Sequence, residues 1–220
     1  MKKLLFWMVL IVGIVALIGS CAKKDDTTAA TAAADNTTST TSYISTTTTA
    51  SGSITMGDDT LSGVYASECL TSASTIAFFV ASGFWASEVN AYGQVFVVTG
   101  SDNISIELYA FTDTSCSNLS QSQKTVSDNV TFGSASGSNY PVTYNNQTQA
   151  LTVHTTAAET ALETLYSNAL DFIVGTPIEL PVSGSGLRYG LWTLSGTTWY
   201  EASSSSATPT SAGTVPHVKQ

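Results

Sequence analysis

The chain has 220 residues and a formal net charge of −9, yet charged residues make up only 10% of it. Between Ser51 and Ala202 thirteen acids face only Lys124 and Arg188, which excludes nucleic acid and anionic headgroups as partners of a surface patch, since phosphate contacts need clustered Lys and Arg. The length suits one domain of ~100–150 residues with flanking segments.

Lys2 and Lys3 open the chain, an apolar stretch runs from Leu4 to Leu17, and the small residues Gly19 and Ser20 precede Cys21. A spanning helix wants ~20 apolar residues, and extension past Ile18 meets Gly19, Ser20 and then Lys23, Lys24, Asp25 and Asp26. Residues 1–20 therefore read as a cleaved secretory signal peptide, the alternative being an uncleaved N-terminal anchor. Leu17-Ile18-Gly19-Ser20-Cys21 resembles the lipobox of bacterial lipoprotein precursors. The resemblance implies diacylglycerol in thioether linkage at Cys21, an acylated mature N-terminus, and a place in a bacterial cell envelope. Ala22, standing where an aspartate would signal retention at the inner membrane, favours the outer membrane. Several acyl chains, at ~0.8 kcal/mol per buried methylene, make a lasting anchor.

Residues 21–53 comprise Cys21 and a low-complexity run of Thr, Ala and Ser that includes Thr46-Thr47-Thr48-Thr49. So few large apolar side chains cannot offset ordering entropy, and the run reads as a disordered tether. Residues 54–202 read as the folded domain, with its regular pattern starting near Leu61. There Ile76, Phe78 and Val80 can share one face of a strand, and Phe84-Trp85 falls in a loop, where the pair is expected to be exposed as a contact surface. Ile104, Ile106 and Leu108 alternate with Ser105 and Glu107, which points Glu107 outward. Tyr140, Val142 and Tyr144 are followed by Leu151 and Val153 across Asn145-Asn146, the pattern of a hairpin.

One helix is expected near 156–170. Thr156 and Glu159 fit a capping box, and Ala158, Leu162, Leu165 and Ala169 recur at helical spacing. A second hairpin places Leu191-Trp192-Thr193-Leu194 against Thr198-Trp199-Tyr200-Glu201 around Gly196-Thr197. Residues 203–220 return to Ser, Thr, Ala and Pro and read as a disordered tail.

With Cys21 assigned to lipid, Cys69 and Cys116 remain as an even pair in a chain bound for an oxidising compartment, and a disulfide between them is expected. Two buried thiols or a metal site are the alternatives. About eight to ten antiparallel strands with one helix can close as a β-barrel or stack as a β-sandwich. Gly63-Val64-Tyr65 ahead of Cys69 and Phe111-Thr112-Asp113 ahead of Cys116 are similar to small secreted bacterial domains with a lipocalin-like barrel. That resemblance implies an all-β, antiparallel lipocalin-like barrel over 61–202. Tyr65 stands in place of that group's tryptophan, the helix precedes the final hairpin, and Arg188 is the only candidate for its basic residue over the closed end.

No catalytic, cofactor-binding or metal-ligating constellation emerges. Of the two histidines, His217 lies in the tail and His154 is out of phase with Leu151 and Val153, so it faces solvent. Gly133-Ser134-Ala135-Ser136-Gly137 carries alanine where a nucleophile-elbow serine would stand. Gly184-Ser185-Gly186-Leu187-Arg188-Tyr189-Gly190 has its third glycine one place late for a dinucleotide loop. Asp25-Asp26 and Asp58-Asp59 lack calcium-loop spacing. Glu68, Glu88, Glu107 and Glu201 supply carboxylates for a hydrolase, with no flanking signature. Aromatic residues such as Phe96, Trp192 and Trp199 either line a cavity for a small apolar ligand or fill the core. The expected function is thus a lipid-anchored, non-catalytic envelope lipoprotein whose barrel holds a small apolar ligand. A structural or protein-interaction β module is the alternative, and a hydrolase the weaker one.

Overall fold

The computed structural model describes residues 42–182 and 184–220. The signal segment, Cys21 and the tether as far as residue 41 lie outside the described residues.

Strands β1 (Ile54–Met56) and β2 (Asp59–Leu61) form a separate hairpin. After them come β3 (Val64–Ala66), helix α1 (Ala73–Ala81), β4 (Ala91–Val98), β5 (Ile104–Phe111) and β6 (Leu119–Phe132). The chain then forms β7 (Asn139–Val153), α2 (Thr156–Leu165), β8 (Pro177–Leu180), β9 (Leu187–Ser195), β10 (Thr198–Ser204) and β11 (Pro216–Lys219). In the large sheet the order is β6-β5-β4-β3-β11-β10-β9-β7-β8, and β6 also pairs with β7. That last pairing closes eight antiparallel strands into a barrel, with β8 added to the C-terminal half of β7. Closure leaves no free edge around the ring, so the barrel, and not the sandwich, is the architecture.

Residues opposite one another in an antiparallel pair point to the same side. Tyr65, Phe96 and Ile106 thus look inward in register, and so do Tyr140 and Trp192, and Trp199 and His217. One end of the interior is filled by Tyr65, Phe96, Val98, Ile104, Val142, Trp192 and Trp199, and the β1–β2 hairpin plugs it with Ile54, Met56 and Leu61. At the other end Tyr92, Ala110, Leu151 and Val153 meet a cap built from α1, the loop after it, α2 and Phe172.

Several sequence expectations are corrected. Residues 73–81 are a helix, because Phe79 docks into the barrel mouth while its strand-like neighbours Ile76 and Val80 pack beside it. Phe84 and Trp85 are buried, not exposed. The chain turns tightly at the end of α1, with both their amides donating to the Phe79 carbonyl, and Trp85 stacks on Phe79 at 4.2 Å between ring centroids. Tyr140 to Val153 is one long strand, since β7 bends and passes from partner β9 to partner β8 without a turn at Asn145-Asn146. Helix α2 is capped one residue early: Thr155, not Thr156, accepts from the Ala158 amide at 3.1 Å. The hairpin around Gly196-Thr197 forms as expected.

The two flanks differ most from their composition. Tail residues 216–219 are β11, inserted between β10 and β3, where they complete the ring. Residues 43–51, read as tether, lie as a strap along the outer wall. The Ile44 amide donates to Ser67 O at 3.1 Å, the Ser51 amide to Val98 O at 2.9 Å, and Ile44 rests on Gly93, where any side chain would displace it. The strap covers Val95, Val97 and Phe111 on the outside of β4 and β5. The expected disulfide joins Cys69 to Cys116 with Cα atoms 5.8 Å apart, tying the loop after β3 to the β5–β6 connection.

Candidate functional site

Between the two apolar ends the barrel interior is polar. Gln94 on β4, Glu201 and Ser203 on β10 and His217 on β11 share the inward face, and Gln121 and Ser127 on β6 also point inward, beside Ala110 and Val153 at the helical end and beside Ile104 at the hairpin end. All of these but Glu201 are buried as whole residues, and Glu201 buries its Oε1. Alternation explains the direction of Gln94, which lies between Tyr92 and Phe96, and of Glu201, two residues after Trp199.

Two indoles form the floor of this layer. Trp192 and Trp199 meet edge to face with ring centroids 4.6 Å apart, flanked by Phe96 at 4.6 Å from Trp199 and Tyr144 at 5.7 Å from Trp192. Gly190 makes room for this arrangement, because a Cβ there would come within 3.0 Å of Trp192 Nε1 and 2.6 Å of Val142 Cγ1. Among the described residues neither indole N–H finds an acceptor, and Glu201 Oε1, Ser203 Oγ and Gln121 Oε1 are likewise buried without a partner. More than ~90% of buried polar groups in proteins are hydrogen-bonded to protein or ordered water, so the four unpaired atoms of Trp192, Trp199, Glu201 and Ser203 mark a place suited to water or a polar ligand, while Gln121 Oε1 lies beside Ala110 and Val153 at the helical end.

The titrating groups here are strongly shifted. Burial pushes the Glu201 carboxyl up to about 7, and the neighbouring Ser203 offsets this in part without reaching hydrogen-bond geometry. Burial holds His217 down at about 4, so its ring is neutral; Nδ1 lies 3.3 Å from Trp199 O and Nε2 3.4 Å from Gln94 Oε1. Burial, followed by the Glu201 charge, raises the Tyr144 hydroxyl above the usual phenol range. Arg188 sits opposite Tyr144, its guanidinium lowered by burial and bonded to Leu187 O at 3.1 Å. A carboxyl shifted by burial beside unpaired donors is an arrangement shared by functional sites and by buried structural networks.

The expected candidates are therefore rearranged. His217, assigned to the tail, belongs to the site, and Glu201 is the one sequence-nominated carboxylate that enters the interior. Glu107 does point outward, yet it is 2% exposed because the strap covers it. Glu88 anchors the loop before β4 by accepting from Ser120 at 2.8 Å and from Thr155. Glu68 bridges to Tyr43 through the backbone. His154 is partly buried rather than free in solvent, its Nε2 lying 3.1 Å from the Ser122 hydroxyl on the outside of the barrel. This is the spacing of a nucleophile and base, but no carboxylate bonds the other ring nitrogen in the described residues, and a hydrogen-bonded surface pair accounts for it. No group of three or more His, Cys, Asp or Glu in the described residues is placed to hold a metal ion.

No protein-family model matches the chain, and no curated protein matches it.

Proposed function

We propose that the chain is a non-catalytic lipoprotein of a bacterial cell envelope, held at the outer membrane by acyl groups on Cys21, whose barrel interior receives a small ligand. The observation that carries the binding role is the set of unpaired buried atoms at Trp192, Trp199, Glu201 and Ser203. These atoms favour a ligand with hydrogen-bonding groups over the wholly apolar one that the aromatic content suggests. Fixed indole donors suit an acceptor on the ligand, while Glu201 and Ser203 suit a donor, and the surrounding rings suit an apolar body.

Native mass spectrometry of protein purified from envelope membranes tests this reading. A bound species below ~1,000 Å³ in size, lost on Trp199→Phe or Glu201→Leu substitution, is the expected result. A bare protein mass from gentle preparations, unchanged after exposure to envelope extracts, overturns it. The mass of the mature N-terminus tests the anchor separately. A second reading, a β module acting through surface contact, is favoured by the covering of both barrel mouths by the chain's own hairpin and helical cap.

A further inference from the structure

The described chain joins the barrel at its helical end. Tyr43 bridges to Glu68, and Leu70 bridges to Tyr92 beside Trp85 of the cap. The strap then runs away from the cap, reaching Val98 and Thr99 at the opposite end. Whatever holds the N-terminus consequently pulls on the helical end of the domain.

That end also carries all the exposed large apolar side chains of the described residues: Phe78 on α1 at 40% exposure, and Ile173 and Val174 after α2 at 55% and 42%. Both segments belong to the same cap, since Phe79 and Phe172, their immediate neighbours, share one core cluster, and the Gly175 amide is fastened to Val153 O at 2.8 Å. Here exposure follows from position and not from a fault in packing: Phe79 and Phe172 are buried while the residue beside each is turned out.

We propose that Phe78, Ile173 and Val174 dock the helical cap onto the lipid surface to which the N-terminus is anchored, so that the barrel stands on the bilayer with its β1–β2 end outward. This rests on the lipid-anchor reading of Cys21. The chain length outside the structure supports it. The stretch from Cys21 to Ser42 can span no more than about 75 Å, which holds the cap at high effective concentration next to the membrane. Three side chains too few to bind a bilayer from solution are then sufficient for docking. The cap and its surrounding loops hold no Lys or Arg between Lys24 and Lys124 or between Lys124 and Arg188, so the contact is apolar and does not depend on anionic lipid.

The test is amide hydrogen exchange on the full, lipidated chain in phosphatidylcholine vesicles, after flotation shows that the protein is membrane-bound. Wild type is compared with the triple variant Phe78→Ser, Ile173→Ser, Val174→Ser, and the same pair is compared with Cys21→Ser to remove the lipid. Expected is several-fold slower exchange around residues 76–80 and 172–176 in lipidated wild type only, with equal exchange in β4 to β7 showing that both forms are folded. Equal exchange of wild type and triple variant in floating vesicles overturns the docking. So does protection that vanishes when the protein is diluted in the vesicles, which indicates contact between copies. Failure of the wild type to float overturns the anchor itself.

Discussion

Glu107 on β5 accepts a hydrogen bond from the hydroxyl of Thr48, 59 residues earlier in the chain. The same buried carboxylate takes bonds from Thr46, Ser105 and Tyr109, and Lys124 Nζ lies 3.9 Å away while donating to Thr48 at 2.7 Å. A low-complexity Thr run is thereby fixed to the barrel wall. The carboxylate of one outward-facing residue supplies the acceptors that several strap hydroxyls need.

Removing that acceptor should free the strap. Glu107→Ala leaves Thr46, Thr48, Tyr109 and Lys124 without their shared partner, and a loss of ~3 kcal/mol in unfolding free energy is expected. Proteolysis should then cut within residues 43–51 before the barrel unfolds. Unchanged denaturation and an uncut strap would show that Val95 and Val97 hold the segment without help.

Two buried groups should give the protein an unusual pH profile. Glu201 has its folded pKa raised from 4.5 to about 7, so its contribution is complete below pH 4.5 and is lost as pH rises through 7. His217 has its folded pKa lowered from 6.5 to about 4, so its contribution is complete above pH 6.5 and is lost as pH falls through 4. Between pH 4.5 and 6.5 the folded state holds an extra proton on Glu201 and lacks one on His217, and the two slopes, ~1.4 kcal/mol per pH unit each, cancel. Relative to wild type, Glu201→Gln should make stability rise with pH across this window and His217→Gln should make it fall. Parallel denaturation curves for the two variants would contradict the burial of both groups.

The crosslink closes a separation of 47 residues. Replacing both Cys69 and Cys116 by Ala should cost up to ~4 kcal/mol by the chain-entropy argument, read as a lower denaturation midpoint with an unchanged β signature in circular dichroism. A midpoint within error of wild type would mean that the strap and β3 already restrain the loop.

Deleting residues 216–220 should be far more damaging than its length suggests. It removes His217 and leaves β10 and β3 as open edges next to Trp199 and Tyr65. The expected outcome is an aggregating or molten chain, detected by lost near-ultraviolet dichroism and increased light scattering. A soluble, cooperatively folding truncation would show that the barrel closes without its last strand.

The legible parts of the chain were those whose environment repeats locally. Ile104, Ile106 and Leu108 alternate because one side of β5 is core, and the turn at Gly196-Thr197 joins two strands that are adjacent in sequence and pair with each other from Ser195 and Thr198 onward. The candidate site was half visible: Trp192, Trp199 and Glu201 stand in that readable hairpin, while His217 stands in a segment with a tail's composition. Pro216 ahead of the short run His217-Val218-Lys219 gives no strand signal until the place between β3 and β10 offers backbone partners on both sides.

Period and composition by themselves determined the antiparallel β character, the last hairpin and a helix beginning near Thr156, although it ends at Leu165 and not near residue 170. The assignment of Cys21 to lipid then left Cys69 and Cys116 to pair, and each of these readings depends on neighbours in sequence or on counting. Tertiary structure alone decided that residues 73–81 coil into a helix over the barrel mouth, that Phe84 and Trp85 turn inward, that a Thr-rich strap covers Glu107, and that the final strand closes the ring. In each of those cases the deciding free energy comes from a surface built by distant residues. Local pattern says which way a side chain points, and only the assembled barrel fixes what it meets there.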